Sequence, residues 1–436
     1  MNRRTFLAAA AAVSAQASPQ KLASEGGAPV RRQPLKAKNW GPEFYDGQER
    51  QQLDDVVEAR NPFRFSNPAS TSKVAMFERE YAAYCHTQYA LAVTSGTAAL
   101  HCAMAALEVG PGDEVILPAW TWYSCYNTII QAGALPVFAE IDESFNLDPD
   151  DIEHRITPQT KVIMAVSLQG NPADMDRILP IARRHGLKVL EDFSQSVGAK
   201  YKGRPLGSMG DIGISSLQQS KTITAGEGGA VVTNDARLYE RAFRFHDVGL
   251  LQTPGGQRNF FPGLNYRMNE FTGGVLLAQL RKLDTIAAAV RANARRVYDG
   301  ISGLPDLQLR RLPDPGGELG TGIFIEFKTS DERQRYAEAM RAENVPVASP
   351  AGSVVLPIVP EIENKVTVVP RWPSFETPQG KAIRYGRDCC PRTIDILSRF
   401  AGVMMDPKFT QADNADAVAA IRKVHPAVVA WPFAAT

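Results

Sequence analysis

From residue 89 onward the chain alternates short apolar runs with helical patterns, and this alternation restricts the possible folds more than any other feature. The strand-like runs lie at 90–94, 114–118, 135–141, 161–168 and 187–192, and the helical patterns at 98–108, 123–132, 148–155 and 174–185. Such alternation is typical of an α/β protein with a mostly parallel sheet that is covered on both faces. Ligands bind such sheets at the carboxyl ends of the strands, so polar residues there are the first candidates for a site.

Length and composition exclude several functional classes. A chain of 436 residues exceeds one typical core, which predicts two domains. The net charge of +1 gives no electrostatic reason to expect nucleic acid as a partner. Six histidines form no HExxH motif and five cysteines form no CxxC motif, so neither a metal site nor a disulfide framework is expected. The cysteines are interpreted as buried thiols.

The first residues differ in character from the rest of the chain. Two arginines precede an alanine-rich apolar run that ends near residue 13, and Ala-Gln-Ala follows at 15–17. This order predicts a twin-arginine export signal at 1–17 and a periplasmic protein, or a cytoplasmic one if the signal is not used. The apolar run is too short for a stable membrane-spanning helix, so no membrane insertion is expected of the mature form. Residues 18–40 are interpreted as a linker or an arm.

Polar or aromatic groups follow three of the predicted strands. Ser95, Gly96 and Thr97 lie at a strand-to-helix junction, where free amides and the helix dipole favour a phosphate. Asp192 ends a strand and could pair with a protonated pyridine nitrogen. Trp122 offers a flat face for stacking. The alternatives are a simple helix cap, a solvated acid and a core tryptophan, respectively.

One lysine stands out because of its position. Lys221 follows the strand-like run 212–217 and precedes the glycine-rich turn 226–229. A desolvated ammonium group is unfavourable there unless its pKa falls or its nitrogen forms a covalent bond, such as a Schiff base with pyridoxal phosphate. The alternative is a solvated turn lysine.

Six longer motifs support a specific resemblance. They are SGTAAL at 95–100, PGDEVILP at 111–118, GALPVFAEID at 133–142, EDFSQSVGAKYKGRPLGSMGD at 191–211, SLQQSKTITAGEGGAVVTND at 216–235 and NYRMNEFTGGVLLAQL at 265–280. Together they resemble the DegT/StrS aminotransferases, over residues 49 to 424. The resemblance implies the pyridoxal phosphate fold type I, with a large domain at 41–285, a smaller C-terminal α+β domain at 286–436, and a homodimer with shared active sites.

The resemblance also implies a role for each site residue. Lys221 forms the Schiff base and transfers protons, and Asp192 bonds the pyridine nitrogen. The remaining cofactor contacts are Gln195 near the ring hydroxyl, Gly96, Thr97 and Ser216 at the phosphate, Trp122 on the ring, and Asn265 from a second subunit. Phe193 and Ser194 depart from the family pattern without removing a catalytic group.

By the same resemblance the protein is an aminotransferase. The implied donor is glutamate or glutamine, and the implied acceptor is a keto sugar or keto cyclitol. The TW pair and the QQSK run favour the branch that acts on scyllo-inosose or aminobenzoate-type rings over the nucleotide-sugar branch. Two alternatives stay open: an exported pyridoxal phosphate-binding protein without turnover, and a dehydratase. Some related dehydratases replace the lysine with histidine, so Lys221 favours transamination.

Four residues outside these motifs are candidates for substrate contacts. His246 lies in a predicted loop at 245–263, and Arg371, Trp372 and Arg387 lie in a proline-rich and aromatic stretch at 345–392 that could form a wall of the site. The alternative for the histidine and both arginines is ordinary solvation.

Overall fold

The computed structural model describes residues 21–251 and 261–429. The predicted export signal, the TPGGQ turn at 253–257 and the last seven residues lie outside these ranges. Among the described helices, none is long and apolar enough to cross a membrane.

The described chain is built around a seven-stranded sheet with the order β1-β9-β8-β5-β4-β2-β3. Its strands are β1 (Tyr89–Val93), β2 (Glu114–Pro118), β3 (Leu135–Ala139), β4 (Thr160–Val166), β5 (Lys188–Asp192), β8 (Ile212–Ser216) and β9 (Gly229–Thr233). Strand β9 is antiparallel to both of its neighbours, β1 and β8, and the other pairings are parallel. The predicted mostly parallel sheet is therefore confirmed. Because β9 alone in this sheet runs opposite to the other six strands, the carboxyl ends of those six strands share one edge of the sheet.

Helices cover both faces of this sheet, as the alternating pattern predicts. They are α1 (Trp40–Glu43), α2 (Gly47–Ala59), α3 (Lys73–Tyr84), α4 (Gly96–Ala106), α5 (Tyr123–Gln131), α6 (Pro149–Arg155), α7 (Met175–His185), α8 (Ala236–His246) and α9 (Glu270–Leu280). The two faces of the sheet carry separate clusters of buried apolar side chains, with Ile116 in one and Leu117 in the other. This division follows from strand geometry, since successive side chains point to opposite faces.

The C-terminal part forms a smaller α+β layer. Its helices are α10 (Leu283–Ile301), α11 (Ser330–Ala342), α12 (Pro360–Glu363), α13 (Pro373–Glu376), α14 (Pro378–Ala382), α15 (Pro391–Arg399) and α16 (Gln411–Val429). Its sheet is antiparallel, with β10 (Gln308–Leu309) and β12 (Phe400–Met404) on either side of β11 (Gly322–Glu326), and a separate hairpin is formed by β6 (Lys200–Tyr201) and β7 (Arg204–Pro205). In the large domain, the strands and helices predicted between residues 90 and 192 agree with the observed elements to within a few residues.

Residues 21–40 lie against the C-terminal layer as an arm. Glu343, which is fully buried, accepts the backbone N–H groups of Ala23 and Val30 at 2.9 Å each. Leu22 and Leu35 are buried in the core. Farther along, the Lys38 backbone N–H donates to Asp406 at 2.7 Å. The arm thus reaches from the outer face of the C-terminal layer to the edge of the large sheet.

Candidate active site

A cleft of about 1420 Å³ opens where the strands of the large sheet end. Its walls include Gly96, Thr97, Trp122, Asp192, Gln195, Ser216 and Lys221, which are all the site residues predicted from the sequence except Asn265. They follow β1, β2, β5 and β8, and the strand directions place these four ends on one edge. The fold therefore brings together residues that are up to 125 positions apart in the sequence (221 − 96).

Asp192, the last residue of β5, is buried and is therefore not a solvated acid. One carboxylate oxygen accepts the Ser194 backbone N–H at 2.9 Å, and the other accepts the Cys125 thiol at an S–O distance of 3.4 Å. Burial raises the pKa of Asp192, and the positive charge of Lys221 opposes that rise. Within the described ranges Asp192 forms no ion pair, so the site offers a buried carboxylate suited to a cationic ligand.

Lys221 lies in the loop that joins β8 to β9, and its side chain is half-buried at the bottom of the cleft. Burial lowers the pKa of its amine, and Asp192 and Cys125 partly oppose this effect. A lowered pKa increases the neutral fraction of an amine, which is the form that attacks a carbonyl or accepts a proton. The solvated-turn alternative does not describe this environment.

The start of α4 forms a cradle with free backbone donors. The Ser95 side chain caps the helix by accepting the Ala98 N–H at 3.0 Å, so this residue does act as a helix cap. The cap leaves the first helical amides, those of Gly96 and Thr97, to face the cleft, and such amides lack an intrahelical acceptor. Ser216 lies directly beside them, since a Cβ added at Gly96 would approach the Ser216 Cβ to 2.6 Å. This arrangement is suited to a phosphate.

Trp122 and Gln195 both line the cleft. Trp122 is 64% exposed, so the alternative of a core tryptophan is wrong, and its face is available for stacking. Gln195 follows β5, and its side-chain oxygen accepts the Gln169 backbone N–H at 3.3 Å. Between them, the cleft can hold a flat ring with a basic nitrogen at Asp192 and an anionic tail at Gly96 and Thr97.

The remaining candidates lie away from the cleft. Asn265 is exposed, outside the residues that line it, so a contribution from a second subunit stays a prediction. His246 is not a loop residue: it ends α8 and is fully buried, and burial lowers its pKa to about 3. It is neither solvated nor placed to contact substrate, because apolar side chains such as Phe65 and Phe243 pack around it.

The structure also corrects the prediction that the proline-rich stretch at 345–392 forms a wall of the site. Of residues 345–392, only 346–348 line the cleft, and the exposed Arg371 and Arg387 do not. Other parts of the stretch pack against α5 and the region of β3. There the Trp372 indole N–H donates to the Ile130 carbonyl at 2.5 Å and the Tyr385 hydroxyl donates to Pro136 at 2.7 Å.

Several residues of the cleft were not found by sequence reasoning. They are Cys125 beneath Asp192, Gln169 after β4, Thr321 and residues 403–405 from the C-terminal layer, and residues 35–40 of the arm. Cys125 could have been predicted from the sequence, because it lies about one helical turn after Trp122. The others come from segments far away in the sequence, and only the packing of the two layers and the arm brings them to the site. No group of three or more His, Cys, Asp or Glu in the described ranges could hold a metal ion.

Comparison with known proteins gives consistent results. The model of the DegT/DnrJ/EryC1/StrS aminotransferase family matches residues 50–349. The GDP-perosamine synthase of Escherichia coli O157:H7 is 35% identical over 321 residues, covering 70% of this chain and 86% of that protein. The dTDP-3-amino-3,4,6-trideoxy-alpha-D-glucose transaminase of Streptomyces venezuelae is 35% identical over 319 residues, covering 70% and 83% respectively. The crystal structure of 3-amino-5-hydroxybenzoic acid synthase superposes with a TM-score of 0.75 at 28% identity, covering 91% of this chain and all of the other.

Proposed function

The chain belongs to the DegT/DnrJ/EryC1/StrS aminotransferase family, and from that premise we propose that it moves an amino group from an amino acid to a keto sugar or keto cyclitol with pyridoxal phosphate as cofactor. The observation that carries this proposal is the shared cleft of Lys221 and Asp192. The two side chains also act on each other electrostatically. Glutamate and glutamine are the proposed donors.

The residues of the cleft fit pyridoxal phosphate. Lys221 would hold its aldehyde carbon, and the buried, unpaired carboxylate of Asp192 would face a protonated pyridine nitrogen. Gly96 and Thr97 would bind the phosphate through their amides, and Trp122 would cover the ring. When bound, this cofactor supplies an aldehyde that takes up the amino group and a ring that accepts electrons from the donor's α-carbon.

Three residues of the chain carry out defined tasks in that setting. A neutral Lys221 amine, which its lowered pKa favours, would accept the proton that leaves the donor's α-carbon and hold it as an ammonium group until the proton is donated back to the bound cofactor. Asp192 would keep the ring nitrogen protonated, because a buried carboxylate and an adjacent cation stabilise each other's charged forms. Cys125 donates to Asp192 and so fixes the orientation of its carboxylate.

The experiment that tests the proposal combines absorbance with product analysis. The purified protein is expected to be yellow, and its visible band should shift when glutamate or glutamine is added. The protein that has taken up the amino group is then incubated with a panel of keto cyclitols and nucleotide-linked keto sugars. Aminated products are identified by mass spectrometry. A band that no amino donor changes would indicate a binding protein without turnover, and loss of water from the sugar would indicate a dehydratase.

The Lys221→Ala variant checks the residue assignment within the same experiment. Its turnover should fall by at least about a thousandfold, because both the covalent attachment and the proton transfer are lost. Pyridoxal phosphate should still bind noncovalently, since the phosphate cradle and Asp192 remain. A variant that retains full transamination would contradict the assigned role.

We further propose a homodimer in which Asn265 of one subunit completes the other subunit's phosphate site. The exposure of Asn265 and its position outside the cleft of its own chain support this proposal. Mixing inactive Lys221→Ala and Asn265→Ala proteins should restore activity, because hybrid dimers contain one intact site. Failure of every mixture to gain activity would contradict shared sites.

Export is a separate proposal that rests on the sequence of residues 2–17. Replacement of Arg3 and Arg4 by lysine should retain the protein in the cytoplasm, measured by fractionation of cells that carry a twin-arginine pathway. Equal periplasmic amounts of the variant and the wild-type protein would contradict a twin-arginine signal.

A further inference from the structure

Gln169 occupies a position in the cleft that the cofactor contacts do not explain. It follows β4 by three residues and contacts Gln195, and this half-buried residue lines the cleft. Its backbone is in the left-handed region, with φ of 51°, where residues other than glycine are strained. Such strain persists only where surrounding contacts hold the backbone in place, and it occurs most often at functional sites.

The contacts that hold this conformation converge on the Gln169 backbone. Its carbonyl oxygen accepts the Thr321 hydroxyl at 2.6 Å and both terminal nitrogens of Arg310 at 3.2 Å each. Its N–H donates to Gln195, and the following N–H, that of Gly170, donates to the Gln195 carbonyl at 3.1 Å. Every backbone polar group of Gln169 is therefore in use, and the bonds come from both layers of the molecule.

Arg310 is buried where it makes this contact. Only 1% of its side chain is exposed, and the guanidinium group lies over the rings of Phe145 and Phe324 at 5.4 and 5.1 Å from their centroids. Glu318 supplies the opposite charge at 3.4 Å. Removing a charge from water is unfavourable, so a buried arginine that directs two donors at one carbonyl fixes that carbonyl firmly.

The side-chain amide of Gln169, in contrast, is uncommitted. No described residue forms a hydrogen bond with it, although its backbone makes four. A carboxamide offers two donors and an acceptor whose oxygen has two lone pairs, which matches the donor and acceptor character of a hydroxyl group. Gln195, the proposed neighbour of the cofactor ring, lines the same cleft, so the Gln169 amide is available to a molecule bound there.

We propose that Gln169 is a specificity-determining residue that hydrogen-bonds a ring hydroxyl of the carbonyl acceptor, and that Arg310 positions it from behind. This inference rests on the proposed aminotransferase function. It narrows the acceptor class to polyhydroxylated rings, since a bare or aromatic ring would leave the amide without a partner. Sites built to bond a hydroxyl reject analogues that lack it, because the protein group is then unpaired.

The test uses the holoenzyme and separates the two half-reactions. The donor half-reaction is followed by the visible band after glutamate is added, and the acceptor half-reaction by product formed from 2-keto-myo-inositol and from GDP- and dTDP-linked 4-keto-6-deoxy sugars. Gln169→Leu should lower kcat/KM for whichever acceptor the wild type uses by about tenfold, the loss of one hydrogen bond. The donor half-reaction should stay within twofold. Gln411→Leu, at an exposed position on α16, is the matched control and should change neither.

A deoxy analogue and a double variant distinguish direct contact from a merely structural effect. The wild type should prefer the hydroxylated acceptor over its deoxy analogue, and Gln169→Leu should lose that preference. Arg310→Met should reduce acceptor kcat/KM in the same way, and combining it with Gln169→Leu should add nothing further, because the arginine acts through the glutamine.

The outcomes separate this inference from the function it rests on. A working wild type whose Gln169→Leu variant stays within twofold for every acceptor would overturn the inference alone, and so would additive effects in the double variant. A wild type whose visible band no amino donor changes would contradict the proposed function, and the inference would fail with it.

Discussion

At the scale of single residues, the chemistry of the cleft depends on what burial does to charged groups. Lys221 and Asp192 shift in the directions that desolvation dictates: the pKa of the amine falls and that of the carboxyl rises. Each shift disfavours the charged form until an opposite charge arrives. The ring nitrogen of the proposed cofactor would supply such a charge to Asp192, and so would stabilise the ionised carboxylate.

Asp192→Asn tests this reasoning directly. The amide can still accept the Ser194 N–H but cannot stabilise a protonated ring nitrogen, so the rate of the donor half-reaction should fall by about 10²–10³-fold. The unfolding midpoint should not fall, because asparagine has nearly the same size as aspartate and carries no buried charge. Stopped-flow absorbance and urea unfolding measure the two effects. An unchanged kcat would remove Asp192 from the mechanism.

The burial of His246 leads to a prediction about the stability of the fold at acid pH. Burial holds its pKa near about 3, well below the usual value of about 6.5, and Arg64 adds to this effect while Asp247 opposes it. A histidine with a depressed folded-state pKa stabilises the fold above the unfolded value, and that contribution is lost as pH falls from 6.5 towards 3. At pH 5 the loss should be about 2 kcal/mol.

The measurement compares urea unfolding at pH 8 and pH 5 for the wild type and for His246→Gln. The variant is expected to be less stable overall at pH 8, but its stability should decrease by about 2 kcal/mol less between the two pH values. Equal decreases in both proteins would show that His246 does not titrate on unfolding.

At the scale of elements, the site depends on how closely α4, β8 and β9 approach one another. A Cβ at Gly229, the first residue of β9, would lie 2.3 Å from the Ser95 carbonyl oxygen, and one at Gly96 would lie 2.6 Å from the Ser216 Cβ. Distances below 3 Å are not tolerated without movement, so glycine is required at both positions. The two glycines allow β8 and β9 to pack closely against the start of α4, with no side chains between them. The first amides of α4 therefore stay open to the cleft.

Gly96→Ala should therefore weaken binding of the proposed cofactor phosphate. The added methyl group forces Ser216 or the helix start to move, and the loss of one charge-assisted hydrogen bond would lower affinity by about 10- to 100-fold. Titration of the apoprotein with pyridoxal phosphate, followed by absorbance, measures the effect. Gly47→Ala is the control, because Gly47 also begins a helix and a Cβ there meets nothing within 4 Å. Equal affinities in the two variants would argue against the cradle.

At the scale of the whole molecule, the arm links the start of the described chain to the site. Glu343 holds it by accepting two arm amides and by pairing with Lys423 at 2.8 Å. Both charged side chains are nearly inaccessible to water, with 0% and 6% exposure. The arm then runs on to line the cleft at residues 35–40, so its anchoring and the shape of the site are coupled.

Glu343→Leu is expected to destabilise the protein strongly, because it leaves the Lys423 ammonium without its carboxylate partner and two arm amides without an acceptor. The expected loss is about 3–5 kcal/mol, measured by urea unfolding. Limited proteolysis should cleave the arm faster, and the KM for the acceptor should rise as the cleft loses a wall. Glu338→Leu serves as the control, since Glu338 is exposed in α11, the helix that Glu343 follows. Similar losses for both variants would contradict the anchoring role.

The large sheet and most of the site followed from local signals in the sequence. Alternating apolar runs specify which strands are buried, and a parallel topology places their carboxyl ends on one edge, so Gly96, Trp122, Asp192 and Lys221 could be grouped from the sequence pattern alone. His246, however, was placed in a loop although it ends a buried helix, because burial depends on contacts with Phe65 from a distant segment.

The other walls of the cleft depend on long-range packing. Gln169 is fixed by Arg310 and Thr321, which lie more than 140 positions away, and the arm is fixed by Glu343 more than 300 positions away. Periodicity carries no information about such contacts, since they join segments that are far apart in the sequence. The sequence therefore identified the family and the edge of the sheet that carries Lys221 and Asp192, whereas the walls formed by Gln169, the C-terminal layer and the arm became visible only in the folded chain.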